Sequence, residues 1–268
     1  MKIGLAAVDM QIVPKEQRRR DVTAFIDEAA AASCRMVLFP EYVNCQRTKE
    51  AADEWDAGRI DGLFARHGEE VPGGPMARVV VDKCVERRIW CGFGINEKRP
   101  DGKVQNSFLL IDPMGRVAGR HVKTHLPPPE DCLVAGQAAS PIDSPLGKLG
   151  VLTCYELYFP ELARLYQVLG ADVLLYPSAD NTPFVTTIAR VRAYDSCRPL
   201  LVLGYTWQGK SKEEAPCGAA YIDEKGNVVA RSENCRQLLV VDVPLRPALN
   251  NEQFARRRPD IYKRIVEA

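Results

Sequence analysis

The chain has 268 residues, 26% charged and 46% hydrophobic, with a formal net charge of +1. This is the composition of a soluble globular protein with a sizeable core, and it provides no global field to draw nucleic acid or an anionic membrane. No stretch approaches the ~20 consecutive apolar residues of a membrane span, and MKIGLAAVDMQ is too short in its apolar part for a signal peptide.

In chain order, Lys2–Val8 reads as a first strand and Gln17–Ser33 as an alanine-rich helix, with Arg18-Arg19-Arg20 on a solvated face. Met36–Phe39 is a second, wholly apolar strand closed by Pro40-Glu41, and 44–74 reads as polar and irregular. Pro75–Arg88 begins with proline, as helices often do. Ile89–Ile95 and Ser107–Ile111 read as strands, and the turn signal Asp112-Pro113-Met114-Gly115 predicts Arg116–Val122 as a hairpin partner. A proline-rich loop runs from Lys123 to Ser144. Then come a strand at Leu149–Thr153, a helix at Pro160–Leu169, a strand at Val173–Tyr176, a helix at Pro183–Cys197 and a strand at Leu200–Gly204. Ala219–Asp223 and Asn227–Ala230 flank another turn, and Leu238–Val241 is the last strand. The tail, 242–268, is polar and basic.

The two halves resemble each other. IGLAAV (3–8) pairs with LGVLTC (149–154), RMVLFPE (35–41) with ADVLLYPS (171–178), and LLIDPMGRV (109–117) with AYIDEKGNV (220–228), in the same order. Helices alternate with strands in both halves, so the expected fold is α/β, two facing sheets with helices outside and an internal repeat. No linker separates the halves, which predicts a single domain over 1–268. The nine cysteines are an odd, scattered set without a CxxC pair. That argues against a disulfide framework and for a reducing, cytoplasmic compartment.

Equivalent strand ends should cluster, and strand ends of rigid sheets are where α/β enzymes place their sites. One such end delivers Cys154, another Glu41, and a hairpin strand leads into Lys123. A thiol with a pKa near ~8.5 needs a base or a cation to become a nucleophile. Among the three histidines, His67 lies in a polar loop and reads as exposed, while His121 and His125 flank Lys123. One option is a Cys154–His125 dyad; the other is a Glu41 base with Lys123 as charge partner. A desolvated carboxylate has a raised pKa that suits a general base near neutral pH.

Pro40-Glu41 after its apolar strand, Lys123-Thr-His-Leu-Pro, and Gly150-Val-Leu-Thr-Cys154-Tyr-Glu with Phe159-Pro-Glu161-Leu-Ala-Arg164 together resemble the nitrilase superfamily of carbon–nitrogen hydrolases, amidase-like branch. The likeness extends through Asn106-Ser107, Gly170-Ala171-Asp172, Arg192-Ala193 and the tail's Arg258-Pro259-Asp260-Ile261-Tyr262, and covers nearly the whole chain. It implies a four-layer αββα sandwich and a homodimer or higher homo-oligomer formed near the post-cysteine helix, with the tail packed on a partner subunit. It also implies a thiol acyl-transfer mechanism needing neither metal nor organic cofactor. Cys154 would attack, Glu41 would act as base and then acid, and Lys123 with the Tyr155 N–H would stabilise the oxyanion. Glu130 would orient Lys123 or position substrate.

The substrate is less legible. Family members acting on carboxylate-bearing substrates typically carry an arginine soon after the nucleophile, where this chain has Glu156-Leu157-Tyr158-Phe159. Nitrile-active members usually have Trp where this chain has Tyr155. The expectation is therefore a small amide with an apolar or aromatic acyl group, with Tyr155, Tyr158, Phe159, Phe184 and Asn181 as candidate pocket residues. A nitrilase or N-carbamoyl amidohydrolase of the same superfamily is the alternative reaction. Two rivals come from other classes: a metal hydrolase using His121, His125 and Cys132, which helical spacing in a proline-rich loop supports poorly, and a non-catalytic scaffold. Arg192-Ala193-Tyr194-Asp195-Ser196 departs from the family's Arg-Ala-x-Glu-Asn, which bears on local packing or dimer contacts rather than on chemistry.

Overall fold

The computed structural model describes residues 1–179, 184–206, 218–234, 236–244 and 252–267. The first half runs β1 (Lys2–Asp9), α1 (Lys15–Ala31), β2 (Met36–Leu38), α2 (Lys49–Asp56), α3 (Leu63–Arg66), α4 (Pro75–Arg87), β3 (Trp90–Lys98), β4 (Val104–Ile111) and β5 (Val117–Val122). The second half runs β6 (Ile142–Ser144), β7 (Gly147–Val151), α5 (Pro160–Val168), β8 (Val173–Pro177), α6 (Val185–Ser196), β9 (Leu200–Leu203), β10 (Tyr205–Thr206), β11 (Ala219–Ile222) and β12 (Val228–Arg231). After it come β13 (Gln237–Asp242), α7 (Glu252–Ala255) and α8 (Pro259–Glu267).

The strands form two sheets of matching topology. One has the order β10-β1-β2-β3-β4-β5, with β13 also paired to β1; the other has the order β12-β11-β9-β8-β7-β6. In the first, β1, β2 and β3 are parallel and β4–β5 return as an antiparallel hairpin. In the second, β7, β8 and β9 are parallel, followed by the antiparallel β11–β12. All three sequence pairs of the internal likeness fall on equivalent strands.

Period-2 alternation divides each strand between two layers. Ile3, Leu5 and Ala7 of β1 join Met36, Leu38 and Phe108 against Leu149, Val151, Leu175 and Leu203, which is the core between the sheets. Ala6 and Val8 of the same strand face Phe25, Ile26, Val80 and Cys84 of α1 and α4. On the far side, Leu174, Tyr176, Leu200 and Val202 meet Leu162, Tyr166, Ala189 and Ala193 of α5 and α6. Three apolar layers between helices, two sheets and helices make the αββα sandwich.

Several local expectations change. Residues 44–74 are not wholly irregular but carry α2 and α3, whose eight and four residues are too short for a readable periodicity. The proline-rich loop contains β6, and the tail holds α7 and α8. Successive helical residues point about 100° apart, so an arginine triplet cannot lie wholly on one face. Arg18 is buried and donates to the Asp9 and Gln11 carbonyls at 3.2 and 3.1 Å. His67 is also buried, with Nε2 3.5 Å from Glu54, and its carbonyl accepts from Asn44 Nδ2 at 2.8 Å.

Candidate active site

The chain leaves β2 through Phe39-Pro40-Glu41, pinned to β3 by Phe39 N–H donating to the Gly92 carbonyl (2.8 Å) and Gly94 N–H donating to the Pro40 carbonyl (3.0 Å). This approach requires glycine at 94, since a Cβ there would stand 2.5 Å from the Glu41 Cα. Glu41 is fully buried. Its Oε1 accepts from Lys123 Nζ at 2.9 Å and Asn106 Nδ2 at 2.7 Å, and its Oε2 accepts from the Ala179 N–H at 2.9 Å. Donors from three chain segments therefore fix the carboxylate.

Lys123 is the first residue past β5, and its N–H donates to the Asn106 carbonyl at 2.9 Å. Its buried ammonium bridges Glu41 (2.9 Å) and Glu130 Oε1 (2.8 Å). Glu130 opens a 3-10 turn, Glu130–Cys132, in the proline-rich loop. Cys154 lies three residues beyond the end of β7, not on the strand itself. It opens a second 3-10 turn, Cys154–Tyr158, at φ +50°. A left-handed conformation in a non-glycine residue costs about 1–3 kcal/mol and persists only where the surroundings enforce it.

The four groups sense one another. Burial pushes the Cys154 thiol well up and Glu41 adds to this, while Lys123 and a hydrogen bond from Ser178 offset part of the shift. Burial opposes the charge on Lys123, but Glu41, Cys154 and Glu130 outweigh it and hold the ammonium above its usual range. Burial and the Glu41 charge push Glu130 up to about 7 against the pull of Lys123. Together these bring a carboxylate able to exchange protons, a cation able to meet an oxyanion, and a thiol that is part-buried at the start of its turn.

Two residues outside the sequence candidates help to build the site. Asn106 holds Glu41, and the signal was present: Asn106, Phe108 and Leu110 alternate along β4, so a polar side chain enters an apolar face. Glu156 is fully buried and accepts from the Thr153 N–H, the Thr124 N–H and the Thr124 hydroxyl, each at 2.7 Å. His121 Nε2 meets its other flank at 2.8 Å, and His121 Nδ1 lies 3.0 Å from the Tyr166 hydroxyl. Local sequence does not reveal this partnership, which spans 35 residues.

Tyr155 (37% exposed) sits edge-on to Phe159 at 5.2 Å, and Phe159 stacks on His125 at 4.0 Å. Tyr158 is tilted against Tyr155 at 5.8 Å, and Phe184, at the start of α6, is 71% exposed. Tyr155, Tyr158, Phe159 and His125 form an aromatic cluster at the cysteine turn, while Asn181 lies outside the described residues. Arg192 of α6 caps that turn by donating from Nε to the Leu157 carbonyl at 2.9 Å. A cavity of about 390 Å³ is lined by residues including Met10, Cys45, Trp55 and Phe64 and by none of the four central groups. Among the described residues no His/Cys/Asp/Glu cluster could hold a metal ion, so His121, His125 and Cys132 are not assembled as ligands. No described helix is long and apolar enough to cross a membrane.

The family model for carbon-nitrogen hydrolases matches residues 4–247. The deaminated glutathione amidase of Homo sapiens is 24% identical over 92% of this chain and 80% of that protein. Omega-amidase NIT2 of Xenopus tropicalis is 25% identical over 97% of both. Among solved structures, a mutant of the amidase from Nesterenkonia sp. AN1 superposes with a TM-score of 0.76 at 19% identity, covering 98% of this chain and 96% of that one. In that structure the acetamide moiety of fluoroacetamide is added covalently at the active site cysteine. With the family model spanning nearly all of a duplicated αββα sandwich, this chain belongs to the carbon-nitrogen hydrolase family.

Proposed function

We propose that this carbon-nitrogen hydrolase cleaves small amides through a thioester on Cys154, releasing ammonia or an amine and then a carboxylic acid. The observation that carries the reading is the buried Lys123 ammonium, held between Glu41 and Glu130 and coupled to the Cys154 thiol. Glu41 takes the thiol proton as Sγ attacks the carbonyl carbon. The developing oxyanion is met by Lys123 and by the Tyr155 N–H, and one such donor is typically worth ~10²–10³ in rate. Glu41 passes its proton to the leaving nitrogen as the C–N bond breaks. Water, deprotonated by Glu41, then cleaves the thioester and returns the proton to sulfur. Glu130 is the positioning partner of Lys123.

Relatives named as amidases support amide over nitrile substrates. Residues 155–159 contain no cation to clamp a substrate carboxylate, and Tyr155, Tyr158 and Phe159 give the approach an aromatic character, which favours apolar or aromatic acyl groups. The chain acts as a single domain in a homo-oligomer. Exposed Leu165, Val168, Val191 and Tyr194 on α5 and α6 support an association face there, and Ile261, Tyr262 and Ile265 support docking of the tail on a partner. The seven described cysteines are free, in keeping with a reducing cytoplasmic location.

Intact-mass analysis after exposure to an amide library tests the central step. An acyl adduct is expected on the wild type and not on Cys154→Ala. An adduct that persists in Cys154→Ala, or turnover without any adduct, would refute the thioester.

A further inference from the structure

We propose that Glu156 and His121 are positioning residues that lock the segment carrying Lys123 to the turn carrying Cys154. This inference rests on the thioester reading above. Glu156 is buried, and its partners sit on both sides of the chemistry. Thr153 immediately precedes the nucleophile and donates its N–H at 2.7 Å. Thr124 immediately follows the lysine and donates both its N–H and its hydroxyl at 2.7 Å. His121, two residues before the lysine, closes the set at 2.8 Å. An ionised carboxylate can only accept, so the His121 Nε2 carries the proton in this contact. The Tyr166 hydroxyl of α5 then fixes the ring from its other nitrogen at 3.0 Å.

These contacts have a specific consequence. Lys123 belongs to the hairpin of one sheet and Cys154 to the turn after a strand of the other, with no backbone ladder between them. Glu156 supplies that link with a charge-assisted set, the stronger class of hydrogen bond. Its contact with the Thr153 N–H, together with the Glu156 N–H donating to the Thr153 carbonyl at 3.0 Å, also ties together the turn in which Cys154 takes its left-handed φ. Burial raises the Glu156 carboxyl, but His121 and Thr124 outweigh it, and the group stays ionised.

Glu156→Gln keeps the shape but turns an NH₂ toward one pair of donors. The readout is Cys154 carboxamidomethylation by iodoacetamide, followed by peptide mass, with exposed Cys132 as internal reference. It is paired with kcat and KM on the amide that the wild type turns over. Because a misplacement of about 1 Å can cost ~10²-fold in rate, Glu156→Gln should lower kcat by about that factor, with KM little changed. Its Cys154 alkylation should slow relative to Cys132. His121→Ala should show a smaller loss, and His121→Gln, which keeps a donor toward Glu156, should recover most of it. Wild-type kcat and alkylation ratio in Glu156→Gln would overturn the proposal, as would losses confined to KM or to the fraction folded. If Glu156→Gln does not fold, Thr124→Val removes one of the four contacts and should still lower kcat selectively; an unchanged kcat there overturns the proposal equally. Failure of the thioester reading is seen separately, as a missing adduct on the wild type in the library experiment.

Discussion

At the residue scale, the site is a balance among Glu41, Lys123, Glu130 and Cys154. Replacing Glu41 by Gln preserves its shape and removes its basicity. General-base catalysis is typically worth 10²–10⁴-fold, so Glu41→Gln should lower kcat/KM by at least about 10²-fold while the melting temperature shifts little. Near-normal turnover of the best library amide would remove Glu41 from the base role. Glu130 gives a pH signature. Its carboxyl lies near 7 in the fold against a reference of 4.5, so the folded chain holds a proton that the unfolded chain has released. Its contribution to stability is fully present below the unfolded value and is lost as pH rises through about 7. Melting temperatures from pH 4.5 to 8 should therefore fall less steeply in Glu130→Gln than in the wild type, and parallel curves would refute this linkage. Glu41, Lys123 and Cys154 could be singled out as candidates because each follows an apolar strand or hairpin and carries a family-like flank, whereas Glu130, in the proline-rich loop, came only from the resemblance. Asn106 was signalled only by a polar side chain on an apolar face of β4, and the role of Glu156 stayed hidden because its His121 partner lies 35 residues away with no motif marking the pair.

At the scale of elements, the strand ends deliver the chemistry, and glycine permits the close approach. The Gly94 backbone of β3 lies against the Glu41 turn, so Gly94→Ala forces β3 and the turn apart. Overpacking of this kind typically costs about 1–3 kcal/mol, and the displaced carboxylate should lose considerably more in rate than the fold loses in stability. Paired denaturation and kinetic measurements check this; a fully active Gly94→Ala would show that the turn adjusts without cost. Apolar runs were readable from sequence: Lys2–Val8 is β1, and Ser107–Ile111 is the second part of β4. Short α2, α3 and β6 were not, because three to eight residues contain too little periodicity and are stabilised by packing rather than by local propensity.

At the scale of the whole molecule, two similar halves face each other through an apolar layer, and each brings strand ends to the same place. Ile261 and Ile265 of α8 are exposed among the described residues. Ile261→Glu with Ile265→Glu should lower the mass measured by light scattering toward that of one chain, and an unchanged mass would exclude the tail as an assembly element. The sequence by itself made legible the layered class and the duplicated order and, through its family-like motifs, the candidates Glu41, Lys123 and Cys154, because apolar runs and local motifs are properties of contiguous residues. Only the tertiary structure decided that Arg18 and His67 are buried, that Lys123 bridges two carboxylates, and that Glu156 joins the segments carrying Lys123 and Cys154. These are contacts between residues far apart in the chain or rotations about a helix axis, and their energies arise only when the two sheets pack.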